Sequence, residues 1–290
     1  MFHRIAAPEH DPFGLCVSPE HFADQLDAIG RRFDLVGLRD AGARSRGSRV
    51  AITFDDGYAD NAEVAGPALV VRGVPATFFV TSRVLHDPRA FWWDRLERIV
   101  LDAPADRTWL EIDIDGRALR ADLRGPIARA RTLDATRRRV EGLVPEKRDM
   151  TIDEISSRLG HEPADDVTDR FITPDLLRAL AADGFEIGAH SATHPRLDLV
   201  SPDRARREVM DSRTALEAVV GQGVTSFAYP HGRRNRWAER AVRDAGFARC
   251  CVVERGLVSP RTHRLRFPRL GVPDVPGAEL VELIAAAFVG

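Results

Sequence analysis

Short apolar runs alternate along the chain with longer stretches in which apolar residues recur at helical spacing. The strand-like runs lie at residues 50–54, 76–80, 185–189, 224–229 and 247–253. Runs of this length that are separated by helices are typical of βα units around a parallel sheet. The pattern therefore predicts an α/β fold.

Several predicted helices carry clear start and stop signals. Ser18, Thr173 and Ser201 each precede a proline and an acidic residue. A hydroxyl at this position accepts a backbone N–H, proline fits the first helical turn, and the carboxylate faces the positive end of the helix. Helices are expected to stop at glycine, for example at Gly73 and Gly184.

One stretch, from about residue 86 to 170, interrupts the alternation. It contains Phe91-Trp92-Trp93 and continues as polar, arginine-rich sequence for which we predict helices. We interpret it as a helical insertion into a single domain that spans residues 1–290. It is either a packed flap without chemistry or a lid whose aromatic side chains help to hold a substrate, and the sequence favours neither.

Composition and charge narrow the class of protein. The 290 residues are 44% hydrophobic and carry a formal net charge of −2, which argues against a nucleic-acid-binding protein. The three cysteines show no metal-binding or disulfide-framework spacing. No apolar run has the length of a signal peptide at the start, or the roughly 20 residues of a membrane span. We therefore expect a cytoplasmic protein with no nucleic-acid partner and no membrane span.

Two adjacent carboxylates, Asp55 and Asp56, follow the predicted strand at 50–54. Like charges this close repel each other, so they need stabilisation by a cation or by hydrogen-bond donors. Taken alone, an Asp-Asp-Gly sequence is equally compatible with a turn that carries two solvated acids.

Two histidines, His190 and His194, stand four residues apart just after the predicted strand at 185–189. Neutral imidazole nitrogens are common metal ligands, whereas two spaced histidines alone are often incidental. The carboxyl ends of parallel strands meet at one edge of a sheet, so an aspartate from the first pair can complete a three-ligand site. Such a site keeps one position open, as catalytic metal centres do.

A third segment, at the end of the strand predicted for 224–229, turns through Pro230-His231-Gly232. A sharp turn can aim the backbone N–H of His231 at the place where an oxyanion develops. Many strands end in proline and glycine, so this signal is weak by itself.

These three segments resemble the motifs of the polysaccharide deacetylases, the NodB-homology domain of carbohydrate esterase family 4. Thr53–Gly57 (TFDDG) resembles the first motif, His190–His194 (HSATH) matches the second, and Phe227–Gly232 (FAYPHG) is similar to a variant of the third. Their order and separation also agree with the family. The resemblance covers roughly residues 2–275.

The resemblance implies a distorted (β/α) barrel with the site at the carboxyl ends of the strands. It implies that Asp55 is the general base and that Asp56, His190 and His194 bind a divalent metal, expected to be Zn²⁺. The metal would polarise an acetyl carbonyl and lower the pKa of water, and Asp55 would accept the proton. The metal and the backbone N–H of His231 would hold the oxyanion. The implied reaction removes an acetyl group from an N-acetylated sugar or oligosaccharide.

The chain departs from the pattern of this family. Phe227 stands where the third motif commonly has an arginine that pairs with the base, and His231 stands where a tyrosine commonly follows the proline. The late Leu-x-His motif, which supplies the general acid, is not visible. His263 lies in a polar loop and does not match it.

Two residues are predicted to replace the missing ones. Residues 265–269 resemble a last barrel strand, and Arg269 at its end could reach Asp55. His3, at the end of a short first strand, could be the general acid, because a barrel closes its last strand against its first. The alternative for His3 is a frayed terminal residue without a role.

Several other functions fit the same residues. De-O-acetylation, deformylation of an amino sugar and hydrolysis of a cyclic amide all need the same groups for acyl transfer to water. A carbohydrate-binding relative that has lost turnover is a different class. The missing arginine of the third motif supports that class, whereas the intact first and second motifs argue against it.

Overall fold

The structure is a computed structural model, and it describes residues 1–44, 47–87, 91–161 and 171–289. The chain divides into two compact units, the first made of Met1–Pro88 with Asp169–Gly290 and the second of Arg89–Thr168. The described strands are β1 Arg4–Ile5, β2 Cys16–Val17, β3 Asp34–Leu35, β4 Arg49–Val50, β5 Ile52–Phe54, β6 Ala76–Val80, β7 Trp109–Ile114, β8 Arg117–Asp122, β9 Glu186–Ala189, β10 Ser226–Ala228 and β11 Arg249–Cys251. The described helices are α1 Pro19–Arg32, α2 Gly66–Arg72, α3 Trp92–Leu101, α4 Pro126–Val140, α5 Pro145–Leu159, α6 Pro174–Ala182, α7 Pro202–Val220, α8 Arg236–Asp244 and α9 Gly277–Val289.

The first unit is built on a parallel sheet of five strands in the order β11-β10-β9-β6-β5. Single parallel bridges extend the sheet at both edges, from Phe54 to Phe2 and from Cys251 to Phe267. The backbone of Met1 then bonds to Leu270 O and receives the N–H of Val272, so the two extended edges approach each other. The result is a curled parallel sheet with surrounding helices, which confirms the α/β barrel-type fold.

The predicted last strand at 265–269 forms only one described bridge, at Phe267. Pro268 follows it, and proline has no backbone N–H to continue a ladder. The five other predicted strands are all present in the sheet. The strand at 76–80 has the predicted bounds, and the other four are shorter than predicted by one to four residues.

Aromatic side chains fill the centre of the sheet. Phe54 stacks on Phe78 with ring centroids 4.7 Å apart and on Phe2 at 5.3 Å. Phe227, which occupies the position of the family's arginine, is fully buried as well. A parallel sheet that is covered on both faces needs such continuous apolar strands.

The predicted helix starts are confirmed. The hydroxyls of Ser18, Thr173 and Ser201 accept the backbone N–H groups three residues later. Gly73 ends α2 at φ 61°, a left-handed conformation that glycine adopts without strain.

The second unit contains α3, α4 and α5 together with an antiparallel hairpin of β7 and β8. Helices are predicted here from the sequence, whereas the hairpin is not. Residues 109–114 alternate between exposed and buried, and Asp115-Gly116 turns with positive φ at both residues. An Asp-Gly turn between alternating runs is a strong hairpin signal.

The aromatic cluster at the start of this unit belongs to its packing. Phe91 and Trp93 are buried and stack with ring centroids 4.4 Å apart. Buried aromatic side chains favour a packed flap over a lid that presents its aromatic side chains to a substrate. No helix in the described ranges is both long and apolar enough to cross a bilayer.

Candidate metal centre and its surroundings

The candidate residues lie at the carboxyl edge of the curled sheet. Asp55 and Asp56 directly follow β5, His190 directly follows β9, and His231 lies two residues beyond Tyr229, which comes directly after β10. Because parallel strands all point their carboxyl ends to one edge, residues far apart in the sequence converge there.

Three donor atoms form a nearly equilateral triangle. Asp56 Oδ1 is 3.4 Å from His190 Nε2 and 3.2 Å from His194 Nε2, and the two Nε2 atoms are 3.2 Å apart. Tetrahedral ligands at about 2.0–2.1 Å from Zn²⁺ lie roughly 3.3–3.4 Å from one another. The triangle therefore fits one such ion, with a fourth position left for another ligand.

The chemistry of these donors also fits a cation. His190 Nδ1 lies 2.7 Å from Ala228 O and donates its proton there, so that Nε2 presents a lone pair to the triangle. Burial alone would raise the pKa of Asp56, but hydrogen bonds from His190 and His194, when these rings are protonated on Nε2, hold it well below its usual range. A buried carboxylate and two imidazole nitrogens this close need a proton or a metal ion between them.

The backbone at these positions is strained. Five non-glycine residues in the described chain have positive φ, and four of them belong to the three motifs. They are Asp56 at 78°, Ser191 at 64°, His194 at 56° and His231 at 56°. This conformation is uncommon for residues with a Cβ and persists only where the surroundings enforce it, which is frequent at functional sites.

Asp55 stands beside the triangle rather than in it, with Oδ2 3.9 Å from His190 Nε2. Its carboxylate receives two hydrogen bonds from Arg269, at 2.6 Å and 2.7 Å, and Arg269 also donates to Thr53 Oγ1 at 3.1 Å. Burial alone would raise the pKa of Asp55, but the charge and hydrogen bonds of Arg269, together with the charges of His190 and His3, outweigh burial and lower the pKa. The contact predicted between Arg269 and Asp55 is present in the structure.

His3 is half-buried, and the backbone before it is tied to the strand that carries the aspartates. Phe2 N donates to Thr53 O at 2.8 Å, and Asp55 N donates to Phe2 O at 3.0 Å. After burial and Arg269, the charge of His3 is among the smaller influences on the pKa of Asp55. The imidazole of His3 therefore lies within electrostatic range of the Asp55 carboxylate.

Two polar residues that the sequence analysis missed fix the backbone on the other side of His3. Asn61 Nδ2 donates to His3 O at 2.8 Å, and Asp60 accepts from Ile5 N at 3.0 Å and from Arg4 Nε at 2.9 Å. Asn61 begins a π-helical turn, a rare element that is frequent at functional sites. Their position directly after the first motif was the available signal.

His231 lies next to the triangle, with its ring centroid 4.7 Å from that of His194. Its left-handed backbone forms the turn that follows β10. The predicted role of its backbone N–H toward an oxyanion stays a prediction.

Comparison with known proteins agrees with these motifs. The polysaccharide deacetylase family model matches residues 42–103 and 150–250, which is more than half of the chain. YxkH of Bacillus subtilis, which carries a provisional polysaccharide deacetylase name, is 26% identical over 109 residues, or 38% of this chain and 37% of YxkH. A gellan lyase of a Bacillus species is 36% identical over 67 residues, which cover 23% of this chain and 3% of the lyase. The chain thus spans well under two thirds of both relatives.

Solved structures share the fold over almost the whole chain. The Streptococcus pyogenes deacetylase PplD in complex with acetate has a TM-score of 0.63 and 17% identity, covering 98% of this chain and 95% of PplD. IcaB from Ammonifex degensii has a TM-score of 0.61 and 17% identity, covering 99% of this chain and 94% of IcaB. At such identities the likeness is one of fold.

Proposed function

Since the chain belongs to the polysaccharide deacetylase family, we propose that it is a metal-dependent hydrolase that removes the acetyl group from an N-acetylated amino sugar or polysaccharide. The observation that carries the proposal is the buried triangle of Asp56, His190 and His194 with a separate ionised carboxylate, Asp55, beside it. Three protein ligands with one open position are typical of a catalytic metal centre. A base placed next to it, outside the ligand set, suits hydrolysis.

The donor set favours Zn²⁺, because two imidazoles and one carboxylate with an open position are typical of catalytic zinc. A bound divalent ion would supply Lewis-acid polarisation of the acyl carbonyl and would acidify a water molecule. Asp56, His190 and His194 would hold this ion. The sheet supplies them from two strand ends that flank β6.

The remaining residues have separate tasks in the proposed reaction. Asp55 accepts the proton of the attacking water, and the bidentate contact with Arg269 keeps it ionised and fixes its orientation. The backbone N–H of His231 donates to the developing oxyanion. His3 delivers a proton to the leaving nitrogen, because an amine anion is a very poor leaving group.

The test joins metal content with acetate release. Metal-free protein is reconstituted with Zn²⁺, and acetate is measured with N-acetylated and with O-acetylated oligosaccharides as substrates. We expect one Zn²⁺ per chain and release of acetate from the N-acetylated substrate that stops when a chelator is added. His194→Ala should lose the metal while the fold persists, and His263→Ala, in an exposed polar loop, is the matched control.

The same assay separates the other readings. Acetate released only from O-acetylated substrates would replace the amide by an ester as the bond that is cleaved. Stoichiometric zinc without release from either substrate would exclude a deacetylase and would leave a sugar deformylase, a cyclic amide hydrolase or a carbohydrate-binding protein. Retention of zinc by His194→Ala at wild-type occupancy would remove this ligand assignment.

A further inference from the structure

A buried carboxylate from a neighbouring helix holds the loop that carries both histidines of the triangle. Glu208, on α7, is only 6% exposed. Its Oε2 accepts the backbone N–H of Thr193 at 2.8 Å, and its Oε1 accepts the hydroxyl of Thr193 at 2.7 Å. Both oxygens of Glu208 are thus committed to the residue that directly precedes His194.

This loop needs support, because its conformation is costly. Ser191 and His194 both have left-handed φ values, 64° and 56°. A residue with a Cβ is strained in this conformation and persists in it only where its surroundings over-determine it. Without tethers the loop would relax, and the Nε2 atom of His194 would move away from the other two corners of the triangle.

Hydrogen bonds hold successive residues of the histidine loop. The backbone N–H groups of Ser82 and Arg83 donate to the carbonyls of Ser191 and Ala192, at 3.2 Å and 2.9 Å. Glu208 holds the next residue of the loop from the other side, through α7. Glu208 therefore fixes Thr193, the one residue between these backbone contacts and His194.

A buried carboxylate is costly unless it is compensated. Glu208 receives the two hydrogen bonds of Thr193, and Arg204 on the same helix lies 3.7 Å away. Both close bonds point to the histidine loop, whereas the arginine contact is long. The cost of burying the Glu208 carboxylate is therefore offset mainly by the hydrogen bonds that order the histidine loop.

We infer that Glu208 is a positioning residue that sets the metal affinity of the triangle without touching the ion. The inference rests on the proposed function, because it concerns the same metal site. Partners that orient metal ligands typically contribute 10–100-fold in affinity. The expected effect is thus on the dissociation constant for Zn²⁺, whether or not a substrate is known.

The experiment is a zinc titration of metal-free protein in competition with a chromophoric chelator. Glu208→Ala should weaken the affinity about 10–100-fold. Glu208→Gln should stay close to wild type, because its amide oxygen still accepts the N–H of Thr193 and its amide nitrogen can donate to the hydroxyl. This rescue separates positioning from a requirement for charge.

Glu217→Ala is the matched control. Glu217 lies on the same helix and also accepts a backbone N–H, that of Val224 at 2.9 Å. Thermal unfolding of the metal-free variants measures the loss of stability that the two substitutions share. The inference holds if Glu208→Ala alone loses zinc affinity, and it is wrong if Glu217→Ala loses as much or if Glu208→Ala binds like wild type.

Thr193→Val serves if Glu208→Ala does not fold. It removes the hydroxyl contact and keeps the N–H contact, so a loss of several-fold in zinc affinity is expected. Wild-type affinity in Thr193→Val would then overturn the inference. If the wild-type protein itself binds no zinc, the proposed function is wrong. The variants test only the inference about Glu208, because each is compared with the wild-type affinity.

Discussion

Arg269 and Asp55 form a buried, bidentate ion pair although 214 residues separate them in the chain. The guanidinium comes from the segment that bridges to β11, and the carboxylate follows β5 at the other edge of the sheet. The curl of the sheet brings the two together. Arg269 thus supplies the ion pair with Asp55 that Phe227, in the third motif, has no charge to form.

Arg269→Met should move the acidic limb of the pH–rate profile to higher pH. Burial favours the neutral carboxyl, and the charge of Arg269 is the main influence that opposes it. Without that charge the pKa of Asp55 rises, so the base is protonated over a wider acidic range. A nearby positive charge typically lowers the pKa of a carboxyl by about 1–3 units.

The measurement is kcat/KM against pH for the variant and for Arg266→Met. Arg266 pairs with Glu239 at the surface, on the same segment as Arg269, and its loss should leave the profile unchanged. An unshifted acidic limb in Arg269→Met would show that the ion pair does not control the protonation of the base.

Asp55→Asn and Asp56→Asn should have opposite effects on metal binding. Asp56 is a corner of the triangle, whereas Asp55 lies outside it and contacts Arg269. We expect Asp55→Asn to retain stoichiometric zinc and to lose roughly 10²–10⁴-fold in turnover, as for a lost general base. Asp56→Asn should lose the metal. If Asp55→Asn is the variant without zinc, the two aspartates have exchanged roles.

His3→Ala should distinguish amide from ester substrates. Cleavage of an amide requires a proton on the leaving nitrogen, whereas an ester with a good leaving group needs little protonation. The variant should keep zinc and fold, lose activity on the amide, and be affected much less on an activated acetate ester. His21→Ala, on α1, is the control. Equal losses on both substrates would indicate a structural role for His3.

Asp274 is predicted to stabilise the fold above pH 4. Burial raises the pKa of Asp274, but hydrogen bonds from Ser18 and His21 outweigh this and lower it below 3.8. A carboxyl with a lowered folded-state pKa contributes stability above its unfolded pKa, and the contribution disappears as the pH falls through the folded value.

Asp274→Asn should therefore lower the free energy of unfolding at pH 7 by about 0.5–1 kcal/mol, a small figure because the side chain is partly exposed. The difference from wild type should disappear as the pH falls through the lowered folded-state pKa of Asp274. Denaturant unfolding at several pH values measures it, with Asp211→Asn, which is exposed in the middle of α7, as the reference variant. A difference that stays constant with pH would contradict the role of the carboxylate charge.

The sequence was most informative where local signals coincide with strand ends. The Asp55-Asp56 pair could be grouped with His190 and His194 because both segments follow apolar strands, and parallel strands end at one edge. The choice of Asp56 as the ligand came from the family resemblance. Arg269 could be predicted because the base needs a cation and a last strand had to close the sheet. The prediction of Arg269 thus depended on the chemistry of the reaction, which requires a cation beside the base, and not on a motif around Arg269.

Other contacts could not be predicted in this way. Glu208 lies in the middle of a helix, and its role depends on which face of α7 turns toward the histidine loop. Asn61 acts through the carbonyl of His3, which any residue carries. These contacts are fixed by the packing of whole elements, so a pattern of side chains along the chain does not reveal them.

The triangle is assembled from the ends of β5 and β9, which are not neighbours in the sheet because β6 lies between them. An unfolded chain therefore holds no ready-made set of three ligands, and an ion that binds the triangle binds the native state almost exclusively. Zinc at 100 times its dissociation constant would then add about 2.7 kcal/mol to the free energy of unfolding. Loss of the metal would therefore lower the stability of the fold as well as the activity, and a larger unfolded fraction would be open to proteolysis.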